Sequence, residues 1–293
     1  MANNGMMMLG CGRRRSAGGV VVPALDLDFD SATYGTINWA YSVRKIVSTY
    51  TGPSLRVRRS SDDAEQDIEF GSDGYLDEAS LLSFCAGTNG YVVTFYNQSD
   101  RGSVADCTNA TASLQPIIVS AGAAQETTPS GHICPFFSAD LLESSATGWS
   151  PTSAISCRYA VTKCRSTPSS HWLKIFNSSA GQCDWQFRTN ANIIRQFYLN
   201  GAHDFGGITM FDDWKAMAAM KGTTILSRQN VNGATSSGTT GQQPPTSVRL
   251  GQWTSNYPGQ NDLPEIFCFT GVEHTFDQMA LLVAFMNDYF EAY

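Results

Sequence analysis

Aromatic side chains beside amides and hydroxyls are the residues of this sequence best suited to binding a ligand. A sugar needs a flat apolar face for stacking, and amides or hydroxyls to hydrogen-bond its hydroxyl groups. The candidates are Gln252, Trp253, Asn256 and Tyr257, which form the densest cluster, and Trp149 and Trp185, which also lie among small polar residues. We predict that these side chains bind a carbohydrate. The alternative is that the tryptophans fill the core of the domain.

A second chemically capable set is acidic and falls in one short segment. Its members are Asp62, Asp63, Glu65, Asp67 and Glu69. Because side chains alternate along a strand, Glu65, Asp67 and Glu69 would share one face, where clustered oxygens could hold Ca²⁺. The sequence has no loop with the ligand spacing of a metal site. A solvated strand face is therefore favoured, and no metal or other cofactor is predicted.

Charge and composition limit the classes of partner. The 293 residues carry a formal net charge of -7, and 15% of them are charged. An acidic chain is a poor nucleic-acid binder, and no apolar run is long enough to span a bilayer, so neither partner is predicted. The exception is a basic triplet, Arg13, Arg14 and Arg15, in a segment without periodicity. We predict that residues 1–24 form an arm that docks on other subunits through this triplet.

The spacing of the cysteines argues against both a disulfide framework and a zinc site. The chain has eight cysteines, and no pair of them shows the CxxC spacing of a zinc ligand set. The N-terminal segment does not resemble a signal peptide, because its methionines precede its arginines and it has no long apolar stretch. The cysteines are therefore predicted to be buried free thiols in a protein made in a reducing cytoplasm.

Hydropathy patterns predict an all-β domain with a few short helices. Alternation predicts strands at 25–30, 54–59, 66–70, 91–96, 115–119 and 155–162, and a late pair of strands at 248–253 and 265–269. Apolar residues at helical spacing predict helices at 39–50, 76–84 and 275–289, whereas 211–220 fits either a helix or a strand. No linker divides the remainder of the chain, so residues 25–293 are predicted to form one domain.

Several separated motifs resemble a known family. They are AYSVRK at 40–45, YTGP at 50–53, RVRRSSDD at 56–63, LD and FC at 76–77 and 84–85, and YVVTFYNQS at 91–99. This block, over roughly residues 38–120, is similar to the N-terminal half of the catalytic sandwich of fungal-type α-L-arabinofuranosidase B, and it recurs in phage structural proteins. Later motifs (NG at 232–233, VRLG at 248–251, PEIF at 264–267) resemble laminin-G domains. The resemblance implies a concanavalin-A-like two-sheet β-sandwich, or jelly roll.

The sequence departs from that family where the family places its catalytic carboxylates. The family nucleophile lies in a Val-Asp-Met-Glu-Asn type of strand, which this chain lacks. The family acid lies in a Gly-Asp-Asn-Ser segment, where this chain reads Gly251-Gln252-Trp253-Thr254. Because such glycosidases need two carboxylates, no catalytic residue is predicted and the chain is predicted not to be an enzyme.

Together these features predict a phage virion structural protein that displays a lectin-like sandwich as a tail fibre, adhesin or capsid decoration. Its predicted partners are other virion proteins, further copies of itself and a host-surface glycan. Its predicted location is the virion, after assembly in the host cytoplasm. Two alternatives stay open. One is a glycoside hydrolase of the α-L-arabinofuranosidase type, and the other is a free carbohydrate-binding lectin.

Overall fold

A computed structural model describes residues 24–145, 155–165, 183–188, 193–198, 201–205, 213–221, 225–229, 232–236, 248–251 and 260–293, with the backbone alone in the segments between 183 and 205 and between 225 and 236 and at residue 221. The strands are β1 (Thr36–Ser42), β2 (Leu55–Arg59), β3 (Glu65–Ile68), β4 (Gly90–Phe95), β5 (Cys107–Thr108), β6 (Ile117–Ser120), β7 (Ala123–Ala124), β8 (Phe136–Ser138), β9 (Leu141–Glu143), β10 (Ser156–Cys164), β11 (Cys183–Arg188), β12 (Ile193–Tyr198), β13 (Gly201–Phe205), β14 (Trp214–Lys221), β15 (Ile225–Gln229), β16 (Asn232–Ser236), β17 (Arg249–Gly251) and β18 (Gln260–Thr270). The helices are α1 (Leu25–Asp28), α2 (Ser31–Tyr34), α3 (Glu78–Phe84) and α4 (Phe276–Phe290), with 3₁₀ turns at Gly102–Ala105 and Ala112–Leu114.

Strand β18 connects the two halves of the main antiparallel sheet. One of its edges pairs with β10, from Thr270 opposite Ser156 to Asn261 opposite Cys164. Its other edge is divided, because residues 265–270 pair with β1 and residues 260–262 pair with β8. From β10 the sheet continues through β14, β15 and β16, and from β8 it continues through β6 and β4. Strands that are shared between sheets form the corners of sandwiches, and the predicted all-β sandwich is confirmed.

A buried ion pair fastens the C-terminal helix α4 to β18. The Arg44 guanidinium donates from Nε and Nη2 to the two carboxylate oxygens of Glu265, at 2.7 and 2.9 Å. The Ser42 hydroxyl donates to the same carboxylate at 2.7 Å. The guanidinium carbon lies 3.8 Å from the centre of the Tyr289 ring and 4.5 Å from that of Phe285, both on α4. Charge pairing and cation–π contacts therefore meet at one fully buried point.

Helix α4 confirms the helix predicted at 275–289. Thr275 forms a capping box in which its side chain accepts from the Gln278 backbone N–H and the Gln278 side chain accepts from the Thr275 N–H. Met279, Leu282, Val283 and Met286 are buried, as the helical spacing predicts. The strands at 54–59, 66–70, 91–96, 115–119 and 155–162 and the helix at 76–84 are also confirmed, within a few residues, by β2, β3, β4, β6, β10 and α3. Among the described residues, no helix is both long and apolar enough to cross a bilayer.

The strand predicted at 25–30 is wrong, because two short helical turns occupy residues 25–34. The Asp30 side chain accepts from the Thr33 N–H at 2.9 Å and begins α2. Leu27, which the alternation assigned to a buried face, is 72% exposed. A local cap thus outweighs a short alternating pattern here.

The helix predicted at 39–50 is wrong as well, because this segment contains most of β1. Every residue from Trp39 to Ser42 is buried, so the strand is covered on both faces and shows no alternation. After the strand, the Gln98 side chain accepts from the Ile46 N–H and donates to the Arg44 carbonyl, in place of helical hydrogen bonds. The open segment 211–220 contains strand β14 from Trp214 onward. The two late strands do not pair with each other, since β17 pairs with β9.

The predicted arm and thiols are only partly within the described residues. Residues 1–23, with Arg13, Arg14 and Arg15, lie outside them, so the docking arm and the self-association it implies stay predictions. Six cysteines are buried, and none of them forms a disulfide with another described residue: Cys85, Cys107, Cys134, Cys157, Cys164 and Cys268.

A buried histidine should make the stability of the fold dependent on pH. His274 is 1% exposed, and its Nε2–H donates to the Tyr34 carbonyl at 2.7 Å while the Tyr159 hydroxyl faces Nδ1. Burial lowers the pKa of His274. The unfolded chain, with a histidine pKa of about 6.5, then binds the proton before the folded chain does. The contribution of His274 to the free energy of unfolding therefore falls as the pH drops below that value.

Urea denaturation of the wild-type protein and a His274→Gln variant at about pH 7.5 and about pH 5.5 measures this contribution. Asp140 and Asp262, whose pKa values burial raises to about 6, take up protons in the folded state over the same range and stabilise both proteins on acidification. The stability advantage of the wild type over His274→Gln should therefore shrink as the pH falls. An advantage that is equal at the two pH values would show that His274 does not contribute to the pH dependence.

Candidate active site

The predicted carbohydrate-binding residues lie largely outside the described part of the chain. Trp149, Gln252, Trp253, Asn256 and Tyr257 are all there, and Trp185 is placed only by its backbone, in β11 opposite Gln196 of β12. The structure therefore does not bring these side chains together or separate them, and their role stays a prediction.

Both ends of the 252–259 segment are fixed beside the turn that joins β8 to β9. Gln260, which follows the segment, pairs with Ser138 of β8. Gly251, which precedes it, has a φ of +92°, and a Cβ there would lie 2.2 Å from the Asp140 carbonyl oxygen. Only glycine permits this approach of β17 to the turn. The segment that carries the predicted cluster thus leaves and rejoins the described structure close to Asp140.

Asp140 has the properties of a proton donor. It follows Ala139, whose φ of +65° forms the tight β8–β9 turn, and its carboxylate accepts from the Ser138 N–H at 2.6 Å. Burial raises the pKa of Asp140 to about 6. Among the described residues it has no ion-pair partner, and it keeps partial access to solvent. A carboxyl group of this kind is partly protonated near neutral pH, as a general acid must be.

A network of charged side chains lies beside the turn between β8 and β9. The carboxylate of Asp262 is fully buried and accepts from Arg165 Nη2 at 3.0 Å, and the same nitrogen lies 2.6 Å from the Glu126 carboxylate. Lys163 lies 3.5 Å from Glu126, and the Arg165 guanidinium lies 4.0 Å from the centre of the Phe136 ring. Burial raises the pKa of Asp262 to about 6 against the opposing effect of Arg165. With no exposed surface, Asp262 positions the network rather than contacting a substrate.

Asn261 is a buried amide that has no hydrogen-bond partner within the described part of the chain. It is 1% exposed, lies opposite both Phe137 of β8 and Cys164 of β10, and neither its Oδ1 nor its Nδ2 has a partner among the described residues. Leaving such groups unpaired costs about 1–3 kcal/mol. Because the amide has no exposed surface, it does not reach a substrate in this arrangement, and its cost falls on the stability of the fold.

Replacement of Asn261 by leucine should stabilise the fold. Removing the unpaired amide is expected to raise the free energy of unfolding by about 1 kcal/mol, which equilibrium denaturation in urea measures. Asn97 is the matched control, since it is equally buried but its side chain accepts from the Ala40 N–H and donates to Ser99. Asn97→Leu should therefore destabilise the fold. Destabilisation by Asn261→Leu of the same size as for Asn97→Leu would show that the Asn261 amide is satisfied in solution.

The three aspartates of the acidic segment that could have held Ca²⁺ each contact an arginine instead. Asp67 contacts Arg56 at 2.8 Å, Asp63 contacts Arg58 at 2.5 Å and Asp62 contacts Arg59 at 2.7 Å. Among the described residues, no group of three or more His, Cys, Asp or Glu side chains is arranged to hold a metal ion.

The chain matches a family of glycosidases over part of its length. A family model described as α-L-arabinofuranosidase B, catalytic, matches residues 30–129. An arabinofuranosidase/β-xylosidase from Trichoderma koningii and an α-L-arabinofuranosidase from Hypocrea jecorina are each 41% identical to it over 61 residues. That match covers 21% of this chain and 12% of each relative, so the chain shares only a short part of the curated relatives' length.

Solved structures of such enzymes share the fold over most of the chain. A glutamate-to-glutamine mutant of a GH54 α-L-arabinofuranosidase, soaked with 4-nitrophenyl α-L-arabinofuranoside, superposes with a TM-score of 0.65 at 17% identity and covers 85% of this chain and 62% of its own. An arabinofuranosidase complexed with arabinofuranosyl-α-1,2-xylobiose gives a TM-score of 0.60 at 17% identity, over 85% of this chain and 61% of its own.

These matches overturn three predictions. The phage virion protein, the virion location and the absence of enzymatic activity are wrong, because the matching family and relatives are α-L-arabinofuranosidases. The absence of the two family carboxylate motifs predicts a protein without catalysis, whereas the shared order of the motifs at 40–99 predicts a relative of the enzymes, and the matches agree with the second. The chain is a β-sandwich that resembles, over residues 30–129 in sequence and over most of its length in fold, the catalytic domain of α-L-arabinofuranosidase B.

Proposed function

We propose that this chain is a glycoside hydrolase that acts on α-L-arabinofuranosides. The observation that carries the proposal is the match of residues 30–129 to the catalytic model of α-L-arabinofuranosidase B. The shared sandwich fold supports it, because the same two-layer framework is present around the candidate site. The partly exposed Asp140 carboxyl, with its raised pKa, adds a proton donor of the kind that a glycosidase requires.

In the proposed reaction Asp140 is the general acid. Glycoside hydrolysis needs one protonated carboxyl group, which protonates the leaving oxygen, and one carboxylate on the opposite side of the bond. The raised pKa of Asp140 suits the first role.

Glu126 is the favoured second carboxylate. Further partly exposed carboxylates near these strand ends are Glu126, Glu143 and Asp213, with side chains 22%, 33% and 64% exposed, and Glu143 is paired with Arg249 at 2.6 Å. Asp213 precedes β14, which is separated from β8 by β10 and β18. Three strand spacings of about 4.8 Å give about 14 Å, which exceeds the separation of about 5–9.5 Å between glycosidase carboxyl groups. Glu126 is held instead beside β8, by Arg165 and Lys163.

Release of free arabinose from an arabinose-branched xylan tests the proposal. The wild-type chain should release arabinose, and Asp140→Asn and Glu126→Gln should each reduce the rate strongly, whereas Asp213→Asn should not. Binding of the polysaccharide without any release by the wild-type chain would contradict hydrolysis and leave the carbohydrate-binding alternative.

A further inference from the structure

A groove far from Asp140 in the sequence has the chemistry of a second sugar site. It has a volume of about 300 Å³, and its walls come from residues 45–52 and 69–74. The candidate active site uses other segments, 126–140, 163–165 and 251–262. The groove and the candidate active site are therefore lined by different residues, and the groove segments lie inside the matched block at 30–129.

Backbone hydrogen bonds hold the two walls in place. The Lys45 N–H donates to the Gly74 carbonyl at 2.7 Å, and the Gly71 N–H donates to the Tyr75 carbonyl at 2.7 Å. At Gly52 a Cβ would lie 2.5 Å from the Tyr50 hydroxyl oxygen, which itself donates to the Pro53 carbonyl. Glycine at position 52 therefore lets the chain pass over Tyr50. A groove fixed in this way needs little ordering when a ligand binds.

The lining combines aromatic surface with one donor and one acceptor. The Tyr50 and Phe70 rings meet edge to face, with centres 6.3 Å apart, and both keep part of their surface exposed. Lys45 and Glu69 also line the groove, and among the described residues neither forms an ion pair, although most other charged side chains near β2 and β3 are paired. An ammonium group and a carboxylate left free on either side of an aromatic surface match the hydroxyl groups and apolar face of a sugar ring.

We propose that this groove binds one sugar unit of the polysaccharide backbone while the candidate active site acts on a side branch. The proposal rests on the proposed function for its ligand class. At about 300 Å³, the groove is at the lower limit of ligand pockets, so it has room for one small ring rather than an oligosaccharide. Its contribution is to hold the polymer near the enzyme, so it should not affect a small arabinoside.

The test measures retention on insoluble arabinose-branched xylan and, in parallel, hydrolysis of 4-nitrophenyl α-L-arabinofuranoside. The variant is Lys45→Met with Glu69→Gln. The matched control is Glu65→Gln, which removes an exposed carboxylate on β3 outside the groove. Retention by the double variant should fall about tenfold, with hydrolysis of the small substrate and the thermal midpoint unchanged. Phe70→Ala, checked for folding in the same way, should also weaken retention.

The two proposals can fail separately. Wild-type retention that disappears in the double variant, with no hydrolysis by either protein, would remove the hydrolase proposal and keep the groove. Full retention by the double variant, or no retention of the wild-type chain, would overturn the groove proposal whether or not the small substrate is hydrolysed.

Discussion

Glu265→Ala is expected to lower the free energy of unfolding by about 3–5 kcal/mol, because it leaves the Arg44 guanidinium charged and unpaired in the core. Both side chains of this pair are essentially inaccessible, at 2% and 0% exposure. Water cannot replace the lost carboxylate, so the cost is that of a buried charge. Equilibrium denaturation in urea measures it directly.

The matched control is an exposed pair on the same sheet. Arg56 and Asp67 are 2.8 Å apart, but their side chains are 42% and 35% exposed. Arg56→Ala should therefore cost about 1 kcal/mol or less. The double variant Arg44→Met with Glu265→Leu should regain much of the stability that Glu265→Ala loses, because it leaves no isolated charge. A loss below 1 kcal/mol for Glu265→Ala would show that the pair is not buried in solution.

Asp140→Asn is expected to reduce kcat toward arabinofuranosides by about 10²–10⁴-fold, the usual contribution of a general acid. Since the pKa of Asp140 is raised to about 6, the wild-type rate should fall as the pH rises through that value and the acid loses its proton. The variant should have a low rate without this descending limb. Steady-state rates across the pH range measure both effects.

Asp100→Asn serves as the control for this prediction. Asp100 is an exposed acid in the turn after β4 and lies outside the candidate site. Its replacement should leave both kcat and the descending limb unchanged. A wild-type pH profile retained in full by Asp140→Asn would show that another group donates the proton.

The sequence predicts the elements whose burial is one-sided and misses those whose burial is not. Helix α4 has one buried face and a capping box, so its spacing and its start at Thr275 are both readable. Strand β1 is buried on both faces, and its unbroken apolar run resembles a helix. The turns at 25–34 depend on one capping contact, from Asp30 to Thr33, which has no hydropathy signal.

The candidate site is less predictable because its chemistry comes from long-range packing. Asp140 lies in an ordinary Ser-Ala-Asp turn, and its pKa is raised by burial, which comes from the packing of the fold around the turn. The significance of Asn261 depends on its having no partner, which no sequence pattern can show. The aromatic cluster at 252–257 stays a prediction, and the segment that carries it is anchored at both ends, by Gly251 opposite Leu141 of β9 and by Gln260 opposite Ser138 of β8.

The most direct test of the central proposal is the release of free arabinose from an arabinose-branched xylan by the purified chain, with Asp140→Asn measured alongside it, because the leaving oxygen of this substrate is a sugar hydroxyl that must be protonated. The account predicts steady release by the wild-type protein, faster below about pH 6, where Asp140 is protonated, and release near background by a folded Asp140→Asn variant. Absence of release by a folded wild-type chain over the whole pH range, or equal rates for the two proteins, would contradict it.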